Sequence, residues 1–167
     1  MTTKLPPQRP ASPRFLFAGE GSSTALDLLE RAMRSYGDSR QTEALLLSAR
    51  DADPGCLHVY FALYKFYFYR KRFHDAEKAV REGLAVAARQ GDFPQSLEEL
   101  TPLSADWSDW GGAQRFFLFS LKALAFIRLR QGDSEESNRI LAKLFELDPR
   151  DRVGASVIGD LASGCAD

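Results

Sequence analysis

From Thr24 onward the apolar positions return every three or four residues: Leu26, Leu29 and Met33, then Leu45, Leu46 and Ala49. That is the period of a helix with one buried face. No run alternates apolar with polar residues, and no Asn-Gly or Asp-Gly pair marks a hairpin, so a sheet is not expected. The helical runs stop at Gly37-Asp38, Asp53-Pro54-Gly55, Gly91-Asp92, Gly132-Asp133 and Asp148-Pro149. Glycine ends a helix, and a proline past the end prevents its resumption. The predicted fold class is all-α.

The terminators recur in phase. Gly37 precedes Pro54 by 17 residues, and Gly132 precedes Pro149 by the same distance. Each unit therefore reads helix, Gly-Asp turn, helix, Asp-Pro turn. Counting back from Pro54 gives a unit of residues 23–56; the next 34 residues, 57–90, follow in register; counting back from Pro149 gives 118–151. The second unit carries Tyr60, Leu63, Tyr67, Phe73, Ala76 and Val80, the third Leu121, Leu124, Ala125, Gly132, Ser137 and Leu141, and the first Leu26, Leu29, Met33, Gly37, Thr42, Leu46 and Ala49.

This set resembles the tetratricopeptide repeat, a 34-residue helix-turn-helix with aromatic, leucine, glycine, alanine and proline positions at fixed offsets. The string "LRQGDSEESNRILAKLFELDP" is the nearest to it, and the resemblance covers about three quarters of the chain. Glu30, Tyr64 and Leu144 stand where the family has small residues, and no proline stands near Arg89. The resemblance implies a right-handed helix-turn-helix repeat array, a superhelix of three repeats closed by a C-terminal capping helix. That cap is expected at about 152–163, with Val153, Val157, Ile158 and Leu161 on one apolar face.

Two segments fall outside the repeats. Residues 1–22, with Pro6, Pro7, Pro10 and Pro13, read as a disordered proline-rich arm. Residues 91–117 are an insertion that carries both tryptophans, Trp107 and Trp110, and in which Ser96 with Glu99 predicts a capping box for one short helix.

The stretch "HVYFALYKFYFYRKRF" holds eight of the 19 aromatic residues, more than one helix face requires for a core. Tyr60, Leu63, Tyr64 and Tyr67 fall on one stripe and are assigned to packing. His58, Phe61, Lys65, Phe68 and Tyr69 fall on another. By the family resemblance, that second face lines a groove that binds peptides or helices. Phe119, Lys122, Phe126, Leu129 and Arg130 continue it in the third repeat, and Arg31 and Arg34 in the first. The groove so implied has an aromatic floor and a basic edge. It lacks the family's carboxylate clamp, because Asp27, Lys65 and Phe119 stand at the positions that clamp uses.

Composition narrows the chemistry. A net charge of -1 gives no general attraction to nucleic acid or anionic lipid. The arm has no continuous apolar run, and no other segment is long enough to span a membrane, so a cytoplasmic protein is expected. Cys56 and Cys165 are too few for a disulfide framework and read as unpaired thiols. His58 and His74 are the only histidines, and no phosphate loop or nucleophile elbow occurs, so no enzyme activity, metal or cofactor is expected. The basic turn Tyr69–Phe73 reads as a solvated helix end. The expected function is a non-catalytic module that binds a protein or peptide of acidic or amphipathic character. A dedicated chaperone or assembly factor, similar in layout to the secretion chaperones of this repeat class, and a structural homodimer are the alternatives.

Overall fold

The computed structural model describes residues 21–164, which form seven helices and, among themselves, no strand. These are α1 (Ser23–Arg34), α2 (Ser39–Ala52), α3 (Leu57–Tyr69), α4 (Phe73–Gly91), α5 (Ala113–Arg130), α6 (Ser134–Leu147) and α7 (Ser156–Gly164). The proline-rich arm of the sequence analysis lies outside the described residues, apart from Gly21 and Ser22. Successive helices pack as pairs, α1 with α2, α3 with α4 and α5 with α6, and the pairs join through α4 against α5 and α2 against α3.

Short polar side chains set the helix starts. Ser22 Oγ accepts from the Ala25 amide, Asp38 from that of Gln41 and Asp133 from that of Glu136, each satisfying an amide that has no partner inside its helix. The turns that end α3, α4 and α5 differ in geometry. Gly132 takes a φ of 86° between α5 and α6, which suits a residue without Cβ. At the end of α4 it is Asp92 rather than Gly91 that turns left-handed, with φ 54°. Between α3 and α4 there is no glycine, and Lys71 adopts φ 59° in its place. The Asp-Pro marks serve as ties: Asp53 accepts from the amides of Ser22 and Gly55, and buried Asp148 from that of Val153.

The core runs through α3 and α5. Helix α3 touches α1, α2, α4 and α5, so it is buried on most of its circumference. Small residues allow the close approaches. Ala76 is fully buried, and a Cβ on Gly83 would stand 2.9 Å from both Tyr60 Cβ and Phe116 Cζ. At the α3–α4 turn, Arg70 donates to Ser39 Oγ and the Tyr36 carbonyl and lies 3.8 Å from the Phe66 ring centroid. Arg72 donates to both Glu43 oxygens and to Asp75. The basic turn is therefore a clip between the first two helix pairs, not a solvated end.

The insertion folds back onto the third pair. Phe93, Trp107 and Phe117 form a buried ring cluster with centroid separations of 4.9, 5.0 and 5.9 Å, and Trp107 Nε1 donates to the Thr101 carbonyl. The short helix expected at Ser96 does not form. Ser96 Oγ hydrogen-bonds the Glu98 carboxylate instead of an amide, and the backbone closes a single turn in which Glu99 and Leu100 donate to the Ser96 carbonyl. Residues 113–117, counted with the insertion, belong to α5. The cap also begins later than expected. Asp151 and Gly154 take φ of 50° and 71°, so Val153 is buried in a turn, and the helix starts only at Ser156. Of its apolar face, Ile158 is buried, whereas Val157 and Leu161 are exposed. No described helix is long and apolar enough to cross a membrane.

Candidate functional site

Helix pairing leaves a cleft between α3, α5 and α7, enclosing about 280 Å³ of open space. From α3 come Phe61, Tyr64, Lys65, Phe68 and Tyr69, at the three- and four-residue intervals that place side chains on one side of a helix. Helix α5 adds Phe119, Lys122, Ala123, Phe126 and Ile127, and α7 adds Ile158. Phe68 bridges the walls, its centroid 5.1 Å from Phe126 and 5.5 Å from Phe73. Phe61 meets Tyr64 edge-on at 5.4 Å, and Phe119 lies 5.8 Å from Trp110. Such tilted and edge-to-face pairs are the preferred contacts of aromatic quadrupoles.

Seven of the twelve candidate groove residues thus meet in one cleft: Phe61, Lys65, Phe68, Tyr69, Phe119, Lys122 and Phe126. The other five do not line it. His58 is buried, because the first turn of α3, Leu57 to Tyr60, is enclosed on all sides by neighbouring helices. Arg31 and Arg34 stand exposed on α1, which has no side chain in the cleft; Arg34 pairs with Glu30 at 3.1 Å. Leu129 and Arg130 lie past the last cleft residue of α5, with the Arg130 guanidinium 5.5 Å from the Phe73 ring.

The basic edge shrinks accordingly. Lys122 Nζ donates to the Val153 carbonyl at 2.8 Å and so pins the turn before α7. Lys65 Nζ is exposed and lies 4.9 Å from the Phe61 centroid and 5.9 Å from that of Tyr69, over the rings. No carboxylate belongs to the lining, so a cation meets apolar surface here without local neutralisation. Tyr64 is the one hydroxyl of the lining besides Tyr69, and burial holds its ionisation well above the usual tyrosine range. Sequence reasoning assigned Tyr64 wholly to the core and did not reach Ala123, Ile127 or Ile158. The α3 and α5 periodicity contains the first three, but Ile158 enters through a contact between α7 and α5 that no local pattern encodes.

Chemically, the cleft offers apolar surface, ring edges and an ammonium group. Among the described residues no group of three or more His, Cys, Asp or Glu side chains is arranged to hold a metal ion.

No family model and no solved structure matches the chain. A protein of Azotobacter chroococcum mcd 1, described as "Uncharacterized 19.8 kDa protein in nifW 5'region", is 31% identical over 121 residues, covering 71% of this chain and 68% of its own length. The chain belongs to the family of that protein.

Proposed function

We propose that this protein is a non-catalytic interaction module, a right-handed array of tetratricopeptide-like repeats that takes an acidic, amphipathic segment of a partner protein in the α3–α5–α7 cleft. The observation that carries the reading is the lining itself: four half-buried phenylalanine rings with two lysines and no carboxylate. Concave apolar surface with a few polar groups is the usual form of a binding site, and an amphipathic helix would insert anchors at three- and four-residue intervals. Binding energy would concentrate on the aromatic anchors, while Lys65 would steer acidic segments and fix their register.

Peptide-display selection tests it, run in parallel on the natural chain and on the Phe68→Ala/Phe126→Ala variant. The expected outcome is enrichment of sequences with apolar anchors and Asp or Glu, whose affinity drops at least ten-fold on the variant. Enriched peptides that bind both proteins equally would overturn the assignment of the cleft.

A second reading is favoured by the relative, which is described by its place in the nifW 5' region. A dedicated assembly factor or chaperone is often encoded beside its client. The nifW product is accordingly the first full-length protein to titrate against the cleft, in the cytoplasm-like reducing conditions that suit unpaired thiols.

A further inference from the structure

The chain carries a surface complementary to its own cleft. On α7 the large apolar residues Val157 and Leu161 are 57% and 46% exposed, one turn apart, while Ile158 turns inward to the cleft. At 100° per residue Asp160 lies about 60° from Val157, on the flank of this stripe away from Ile158, and it too is exposed. The helix has no Lys or Arg, so this stripe is apolar with one negative charge. The cleft is apolar with two positive charges. Tyr69, 66% exposed, extends its apolar surface at the far end of α3. Val157 and Leu161 on α7 and Tyr69 on α3 are thus large apolar side chains left exposed on two of the elements that line the cleft, and grouped apolar exposure marks interaction sites.

We infer that a second copy of this chain docks the outer stripe of its α7 across the cleft, placing Val157 and Leu161 on the phenylalanine rings and Asp160 beside Lys65. Because α7 borders the cleft it would fill, one two-fold axis close to α7 satisfies both copies at once. Each α7 then covers the other's cleft, the self-complementary arrangement of an isologous dimer. The inference rests on the cleft being a docking surface, as proposed above, and adds its regulation: the resting protein occludes itself, and an incoming partner competes with the second copy. A nine-residue helix stripe is small beside the roughly 800 Å² per partner of a stable interface. Reversible association in the micromolar range follows, weak enough for displacement and weaker at high salt.

Sedimentation velocity of the full chain from about 1 to 200 μM, at low and high salt, tests this arrangement. The expected result is a concentration-dependent dimer that Leu161→Asp abolishes. Lys65→Glu and Asp160→Lys should each weaken it about ten-fold or more, and combining them should restore it. All three side chains are on the surface, so melting temperatures should stay close to that of the natural chain. A monomer at every concentration, whether the cleft is open or filled by residues 1–20 of the same chain, overturns the inference; so does a dimer that survives Leu161→Asp, or charge reversals that fail to compensate. A monomeric chain that still selects peptides through Phe68 and Phe126 would lose the self-docking and keep the interaction module. A chain that does neither would lose both.

Discussion

Adding one methyl group at Gly159 should stabilise the protein, and the same addition at Gly83 should not. Both residues lie inside helices, where alanine is favoured over glycine by about 1 kcal/mol through backbone entropy. At Gly159 the new Cβ meets nothing within 4 Å, so that gain is realised and Gly159→Ala should stabilise by about 0.5–1 kcal/mol. At Gly83 the same atom would stand 2.9 Å from Tyr60 Cβ and Phe116 Cζ and 3.2 Å from Phe116 Cε1. Neither neighbour can yield freely. Phe116 is fully buried, Tyr60 Cβ is tied to the α3 backbone, and the Tyr60 hydroxyl donates to the Pro54 carbonyl at 2.8 Å. Overpacking of this kind costs about 1–3 kcal/mol, which outweighs the propensity gain or cancels it. The two variants should differ by roughly 1–3 kcal/mol, and for a chain of this size each kcal/mol moves Tm by about 2–4 °C. Urea and thermal unfolding followed by far-ultraviolet circular dichroism read both. Phe116→Leu in the Gly83→Ala background should recover part of the loss, a coupling that a double-mutant cycle isolates. If Gly83→Ala stabilises as much as Gly159→Ala, the close three-way approach of α3, α4 and α5 is refuted.

Three further outcomes are expected. Tyr67→Ala should cost about 3–5 kcal/mol, since the ring is buried and its hydroxyl bonds Glu43, whereas Phe61→Ala should cost distinctly less; equal losses in urea unfolding would show that Phe61 is core. The Arg72 hydrogen bond, foremost among its partners, holds the Glu43 carboxyl below the usual glutamate range against a desolvation cost. A depressed folded value means that its contribution is complete above the ordinary glutamate pKa and is lost as pH falls through the folded one, so Glu43→Gln should flatten the acid side of the stability profile; an unchanged slope would count against the clip. Trp107→Phe should remove the blue-shifted part of the fluorescence emission, because Trp107 is buried against Phe93 and Phe117; persistence of that component would place it on Trp110.

The helices themselves were legible because their causes are local. Apolar spacing in α2 and α6 and the Gly-Asp and Asp-Pro stops act within a few residues of one another, so they can be found without knowing what lies across the core. Local signals misled where two of them competed for one side chain. Ser96 had a carboxylate two residues away as well as an amide three residues away, and the carboxylate won. Asp151 and Gly154, both left-handed, delayed α7 although its apolar spacing begins at Val153.

The cleft divides along the same line. Phe61, Lys65 and Phe68 share a face because a helix repeats every 3.6 residues, and the same period aligns Phe119, Lys122 and Phe126 on α5; both sets are properties of one segment each. Only the packing of α3 against α5 brought Phe68 within 5.1 Å of Phe126 and made two stripes one site. Tertiary structure also decided that His58 is buried, since four helices surround α3, that Lys122 is spent on the Val153 carbonyl, and that Ile158 closes the cleft. The physical reason is the range of the interactions. A sequence period states which way a side chain points from its own helix axis, while its exposure depends on which other helices arrive there, and that is set by the whole core minimising its exposed apolar surface at once.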